Sequence, residues 1–150
     1  MVRYSDDGSR LLCSSQECDA VYDLLPNKKL DASDKVSLNN QSARKVYSRF
    51  VGKEDEFVVS STDNTILIWL LPPTGGRGQR TVKSPLLELK GHQSDVFSYS
   101  FNRSTGMLAS GSQDGIIWLW VPNEGINWIL VILYWICRCV RRFFIVFYFK

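Results

Sequence analysis

The chain of 150 residues holds a single histidine, His92, and four cysteines. Zinc sites need several such ligands at short, paired spacings, and Cys13, Cys18, Cys137 and Cys139 form no second pair of that kind. No metal and no cofactor is therefore expected. A secretory signal is also missing, because Met1-Val2-Arg3-Tyr4 runs straight into the acidic stretch Ser5-Asp6-Asp7-Gly8 with no apolar core. The cysteines accordingly read as thiols. Charge of one sign is scarce in the body: residues 1–125 carry 14 basic against 15 acidic groups. That balance offers no basic face, so nucleic acid is not an expected partner. Helical periodicity is absent as well, and no stretch of ten residues between 1 and 125 shows it cleanly. The length is that of one compact unit.

What is present is an echo. Shifted by 51 residues, segment 40–69 aligns with segment 91–120 without a gap. Phe50 then falls on Phe101, Phe57 on Leu108, Ser61 on Ser112, Asp63 on Asp114, Ile66 on Ile117 and Trp69 on Trp120. A poorer third copy opens the chain, where Tyr4 and Leu11 repeat the spacing of Phe50 and Phe57 before Val21-Tyr22-Asp23-Leu24. Each copy reads as short strands parted by turn residues. In the best copy, 96–101 is a half-buried strand, Asn102-Arg103-Ser104-Thr105-Gly106 a turn, and 107–111 a second strand. Gln113-Asp114-Gly115 is then a hairpin turn with the favoured Asp-Gly pair, and 116–121 a third strand.

At these residues the chain resembles the WD40-repeat family, whose repeats run from a Gly-His pair to a Trp-Asp pair. The pattern stands here as Gly91-His92, Val96, Phe101, Leu108-Ala109-Ser110-Gly111-Ser112-Gln113-Asp114, Ile117 and Trp120. The resemblance implies an all-β fold: a partial β-propeller of two to three four-stranded blades. The blades are expected at 2–38, at 39–90 with a long loop over 71–85, and at 91–122. It also implies a hydrogen-bonded chain of Trp120, Ser110, His92 and Asp114 in which each buried polar group hands on to the next. In the second copy Gln41 stands for the histidine and Val59 for the serine, so packing alone is expected to hold that blade. Both copies lack the acid after the tryptophan, having Leu70 and Val121.

Residues 123–150 are an atypical tail, in which 126–150 are apolar at 20 of 25 positions, with Arg138, Arg141, Arg142 and Lys150 and no acid. Three readings stay open. Residues 129–134 suit a fourth strand for the last blade. Residues 126–137 suit the start of a membrane helix, but Arg138 arrives before the roughly 20 apolar residues a bilayer needs. The third reading is sequence never selected to fold, from an altered frame or a retained intron. Propellers close with four to eight blades, so a fragment of a larger propeller or an abnormal isoform is expected.

Ser, His and Asp together suggest nucleophilic catalysis, yet no G-x-S-x-G elbow surrounds Ser110 or Ser112. Gly75-Gly76-Arg77-Gly78 lacks the Lys-Ser/Thr of a phosphate loop. With Pro72, Pro73 and Pro85 nearby, 71–84 reads as a flexible surface excursion with Arg77, Arg80 and Lys83 in solvent. The chain is therefore expected to be no enzyme but a protein-interaction scaffold, cytoplasmic or nuclear, binding other proteins through its turns. Candidate contacts are Arg44, Lys45, Thr62, Gln93, Asp95 and Gln113. Phe50-Val51-Gly52 through Ser60, with Trp69-Leu70-Leu71-Pro72, is similar to the last blades of substrate receptors for cullin-4 ubiquitin ligases, which implies a ligase adaptor as partner. The Trp-Asp-x-Arg ending often found there is absent. The alternative is a membrane-associated protein anchored through 126–149 with a cytoplasmic propeller remnant.

Overall fold

The computed structural model describes residues 1–15, 18–25, 29–39, 45–52, 54–76, 78–122, 128–133 and 145–147. Among them fourteen strands follow in order: β1 (Val2–Tyr4), β2 (Arg10–Ser14), β3 (Asp19–Asp23), β4 (Lys35–Leu38), β5 (Lys45–Val51), β6 (Phe57–Thr62), β7 (Thr65–Leu70), β8 (Arg80–Val82), β9 (Leu87–Lys90), β10 (Val96–Asn102), β11 (Met107–Ser112), β12 (Ile117–Pro122), β13 (Trp128–Leu133) and β14 (Ile145–Phe147). The fold is all-β. Three sheets form, in the strand orders β1-β2-β3-β4-β8, β5-β6-β7-β9 and β10-β11-β12-β13-β14. Each is an antiparallel meander apart from the parallel pairing of β8 with β4.

The sheets stand side by side and meet where β2 lies against β5 and β10 against β5 and β6. Strand alternation makes this work, because successive side chains point to opposite faces. In the middle sheet Val58, Leu67 and Trp69 pack into a core shared with Leu12, Val21, Val36 and Leu38 of the first sheet. Val59, Ile66 and Ile68 point the other way, into a core with Val96, Tyr99, Leu108, Trp118 and Trp120 of the third. Burial on both faces explains why β7 reads Ile-Leu-Ile-Trp without a polar break, as strands covered on both sides do. Strand β11, by contrast, alternates, with Leu108, Ser110 and Ser112 buried. Tyr99 also ties the sheets: its hydroxyl donates to the Val59 carbonyl at 3.0 Å. Burial, and then the charge of Asp19, pushes that hydroxyl's pKa above its ordinary value and keeps it a donor.

Two expectations change. The ungapped 51-residue alignment slips by one in its middle. Phe101 pairs with Leu108, but Phe50 pairs with Val58 rather than Phe57. The β5–β6 hairpin is thus one residue longer than its counterpart, and the two-residue turn Asp63-Asn64 is shorter than the 113–116 connection, which restores the register at the tryptophans. Asp63 takes φ 46° to make so tight a turn. Second, the excursion 71–84 is not all surface loop. Its residues 80–82 form β8, a fifth strand on the first sheet, with Val36 opposite Arg80 and Leu38 opposite Val82.

That strand is tethered by charge. Asp23, almost fully buried, accepts from Arg10 Nε at 3.1 Å, Arg80 Nη2 at 2.6 Å and the Gly75 amide at 3.1 Å. Arg10 also donates to the Pro72 carbonyl and Arg80 Nη1 to that of Pro73, at 2.9 Å for the latter. Arg80 is therefore a tether, not a solvated loop residue; Lys83 is exposed and Arg77 lies outside the described residues. At the same end, Asp55 accepts from Arg103 and from the Asp6 amide, joining one turn of each sheet.

In the tail, β13 pairs along the whole of β12, from Ile117 opposite Leu133 to Pro122 opposite Trp128. It occupies the fourth-strand position, and β14 pairs beyond it. Among the described residues no helix is long and apolar enough to cross a bilayer. The arginines Arg138, Arg141 and Arg142 lie outside the described residues.

Candidate functional site

At one end of the third sheet, the turn before β10 and the turn between β11 and β12 come together over a buried polar line. Trp120 Nε1 donates to Ser110 Oγ at 2.9 Å. Ser110 Oγ lies 2.8 Å from His92 Nε2, and His92 Nδ1 lies 3.0 Å from Asp114 Oδ2. The proton positions follow from chemistry. A carboxylate can only accept, so Nδ1 carries the hydrogen, and Nε2 is left facing the serine hydroxyl. Every polar atom of the line then has a partner.

Local sequence sets up each member. Gly91 precedes the histidine because the Trp118 ring lies where a side chain would be: a Cβ there would sit 2.0 Å from Trp118 Cζ3. That ring also packs on the His92 imidazole, with centroids 5.3 Å apart. Asp114 closes its turn by accepting from the Ile116 amide at 2.9 Å and the Gln93 amide at 3.0 Å. Burial alone would raise its pKa, but the hydrogen bonds from Ile116, His92 and Gln93 outweigh it and hold the carboxyl below its ordinary range.

Ser110, His92 and Asp114 have the hydrogen-bond order of a hydrolytic triad. They are closed to substrate, however. Ser110 is 2% exposed and His92 3%, and the serine oxygen already accepts from an indole. The arrangement ties a sheet to its turns.

The middle sheet has a counterpart that the ungapped alignment hid. Trp69 Nε1 donates to Ser60 Oγ at 2.8 Å, inside the core. Val59 is not the residue in the serine's place, and that blade does not rest on packing alone. The shifted register explains the correction: fully buried Leu12, Val58 and Leu108 occupy equivalent central-strand positions, and two residues on stand Ser14, Ser60 and Ser110. A small hydroxyl two residues past a fully apolar position is the signal that reveals them. In the first sheet Ser14 finds Asp19 at 2.6 Å instead of a tryptophan.

The candidate contact residues fall as follows. Gln93 and Gln113 are exposed and Asp95 half-buried, and the Gln113 amide donates to the Asp95 carbonyl at 3.0 Å, so three of them share one rim. Lys45 and Thr62 pair across the β5–β6 ladder, and the neighbouring Asp63 carbonyl accepts from the Val96 amide at 2.8 Å, joining that turn to the same rim. Arg44 lies outside the described residues, as does Gln41.

Meandering sheets packed side by side, with a tryptophan–serine tie in two of them, define a β-propeller repeat protein. The family profile described as WD domain, G-beta repeat, matches residues 83–121. The chain belongs to the WD40-repeat family. Over 127 residues, 82% of this chain, it is 30% identical to DDB1- and CUL4-associated factor 5 of Homo sapiens, and to that of Mus musculus to the same degree. The chain spans 13% of the length of these relatives. Among solved structures, the WD40 domain of Toxoplasma gondii coronin superposes with a TM-score of 0.62 at 20% identity, covering 83% of this chain and 33% of that one. That likeness is one of fold.

Proposed function

We propose that this chain is a non-catalytic protein-interaction scaffold that serves as part of a substrate receptor for a cullin-4 ubiquitin ligase. The observation that carries the reading is the 30% identity over 127 residues to two proteins whose names state association with DDB1 and CUL4. Burial of Ser110 and His92 supports a structural rather than a catalytic use of the single histidine. The rim that carries Gln93, Asp95 and Gln113, with Thr62 and Lys45 one blade away, is the surface for substrate proteins. A soluble nuclear or cytoplasmic setting goes with this reading.

The test is direct. The purified chain, mixed with purified DDB1, is expected to co-elute with it on size exclusion. Elution of the two as separate species at micromolar concentrations would overturn the ligase reading. Charge reversal at Asp95 is expected to leave that complex intact while releasing substrate proteins.

A further inference from the structure

Each junction between the sheets is built from two different surfaces. In the middle sheet Phe50, Val58 and Trp69 stand opposite one another across β5, β6 and β7 and face the first sheet, where Leu12, Val21 and Val36 meet them. In the third sheet Phe101, Leu108 and Trp120 form the same kind of row across β10, β11 and β12, and they face Val59, Ile66 and Ile68 of the middle sheet. An aromatic–aliphatic–aromatic row thus closes twice on an aliphatic surface.

The two outer sheets each carry one half of such a junction, with no sheet against it among the described residues. Leu12 and Val21 point into the core, so strand alternation turns Leu11 and Tyr22 to the other side. There Tyr4, Leu11 and Tyr22 stand opposite one another, with Tyr4 68% exposed and Val2 opposite Cys13 alongside. In the third sheet Leu108, Trp118 and Trp120 point inward, which turns Ala109, Ile117 and Leu119 outward. Ile117 is 39% exposed. Phe97, the extra residue of a bulge in β10, is re-aimed to lay its ring over Gly111 on the same face and is 56% exposed. The two faces are bordered by polar residues, Lys35 and Ser37 on β4 and Ser98 and Ser100 on β10. Large apolar groups gathered on a face and rimmed by polar ones mark a contact surface.

An aromatic row on the first sheet and an aliphatic surface on the third are the two halves of one further junction. Three sheets are fewer than the four to eight at which propellers close, so one copy does not seat its third sheet on its own first. Two copies arranged head to tail bring six sheets and two such junctions, and a heterologous contact of this kind closes into a ring. We infer that the free face of the third sheet seats on the free face of the first sheet in a second copy of this chain, twice over, to give a closed ring of six sheets. The inference goes beyond the ligase reading and does not depend on it.

Sedimentation velocity of the purified full chain over micromolar concentrations tests this, and a dimer is expected. Tyr4→Asp and Ile117→Asp each put a charge into both junctions, because a pair of like copies uses both faces of each copy. Each change raises the dissociation constant about a hundredfold or more, as loss of interface anchors does. Mixed in equal amounts, the two variants form dimers again, since one junction then joins two unchanged faces. That recovery also shows that both variants fold. Phe97→Asp behaves as Ile117→Asp does and recovers with the Tyr4→Asp chain in the same way. A parent chain that sediments as a monomer would overturn the inference and leave the two faces to other partners. So would assemblies larger than a dimer, a dimer that survives either change, as a contact between two like faces does, or no recovery on mixing.

Discussion

Replacing Ser110 by alanine removes one oxygen and leaves two buried groups without partners, the Trp120 indole N–H and His92 Nε2. Each unpaired buried group costs about 1–3 kcal/mol, so the change is expected to destabilise the chain by about 2–6 kcal/mol. Against a total of about 5–15 kcal/mol for a domain, that is a large fraction. Trp120→Phe deletes the indole donor while keeping most of the buried ring, and the double variant has already lost the shared bond. The two effects therefore should not add, and a coupling of about 0.5–3 kcal/mol is expected. Urea denaturation followed by tryptophan fluorescence, for the parent, both single variants and the double, measures it. A loss below about 0.5 kcal/mol for Ser110→Ala, as at an ordinary surface position, or strict additivity, would refute the reasoning.

Gly91→Ala drives a methyl into the Trp118 ring, since the Cβ would sit 2.0 Å from Cζ3, and overpacking of this kind costs about 1–3 kcal/mol; thermal melts check it. Asp23→Asn deprives Arg10 and Arg80 of a nearly buried carboxylate, and a loss of about 3–5 kcal/mol is expected. Limited proteolysis should then show new cleavage within residues 72–84. The depressed carboxyl of Asp114 adds stability that is fully present above the ordinary value of 3.8 and disappears as pH falls through the lower folded value. The stability difference between the parent and Asp114→Asn is accordingly constant near neutrality and shrinks in acid; a difference that grows as pH falls would contradict the sign.

Much of this was legible in the residues because strand and turn chemistry are local. Asp-Gly and Asn-to-Gly turns marked the hairpins, and Gly106 and Gly115 take the positive φ those turns use, 73° and 77°. The Trp120–Ser110–His92–Asp114 order followed from family spacing. Ser60 was missed because a hairpin one residue longer was offset by a turn that is shorter, so the tryptophans still aligned while the strand between them did not. β8 was missed for a different reason. Three residues with polar Arg80 and Thr81 carry no periodic signal, and what holds them is the distant carboxylate of Asp23 together with the edge of β4. Phe97 looked like one half-buried strand residue among several, since a bulge leaves no mark in composition.

Ser60 with Trp69 and Ser110 with Trp120 are equivalent ties in neighbouring sheets. Hydrogen exchange of the indole N–H groups, followed by nitrogen-edited NMR, tests this most directly. Trp69 and Trp120 are expected to exchange more slowly than any exposed indole, with Ser60→Ala accelerating Trp69 more than Trp120 and Ser110→Ala doing the reverse. Rapid exchange of both indoles in the parent chain, or a serine change that acts only on the wrong tryptophan, would contradict it.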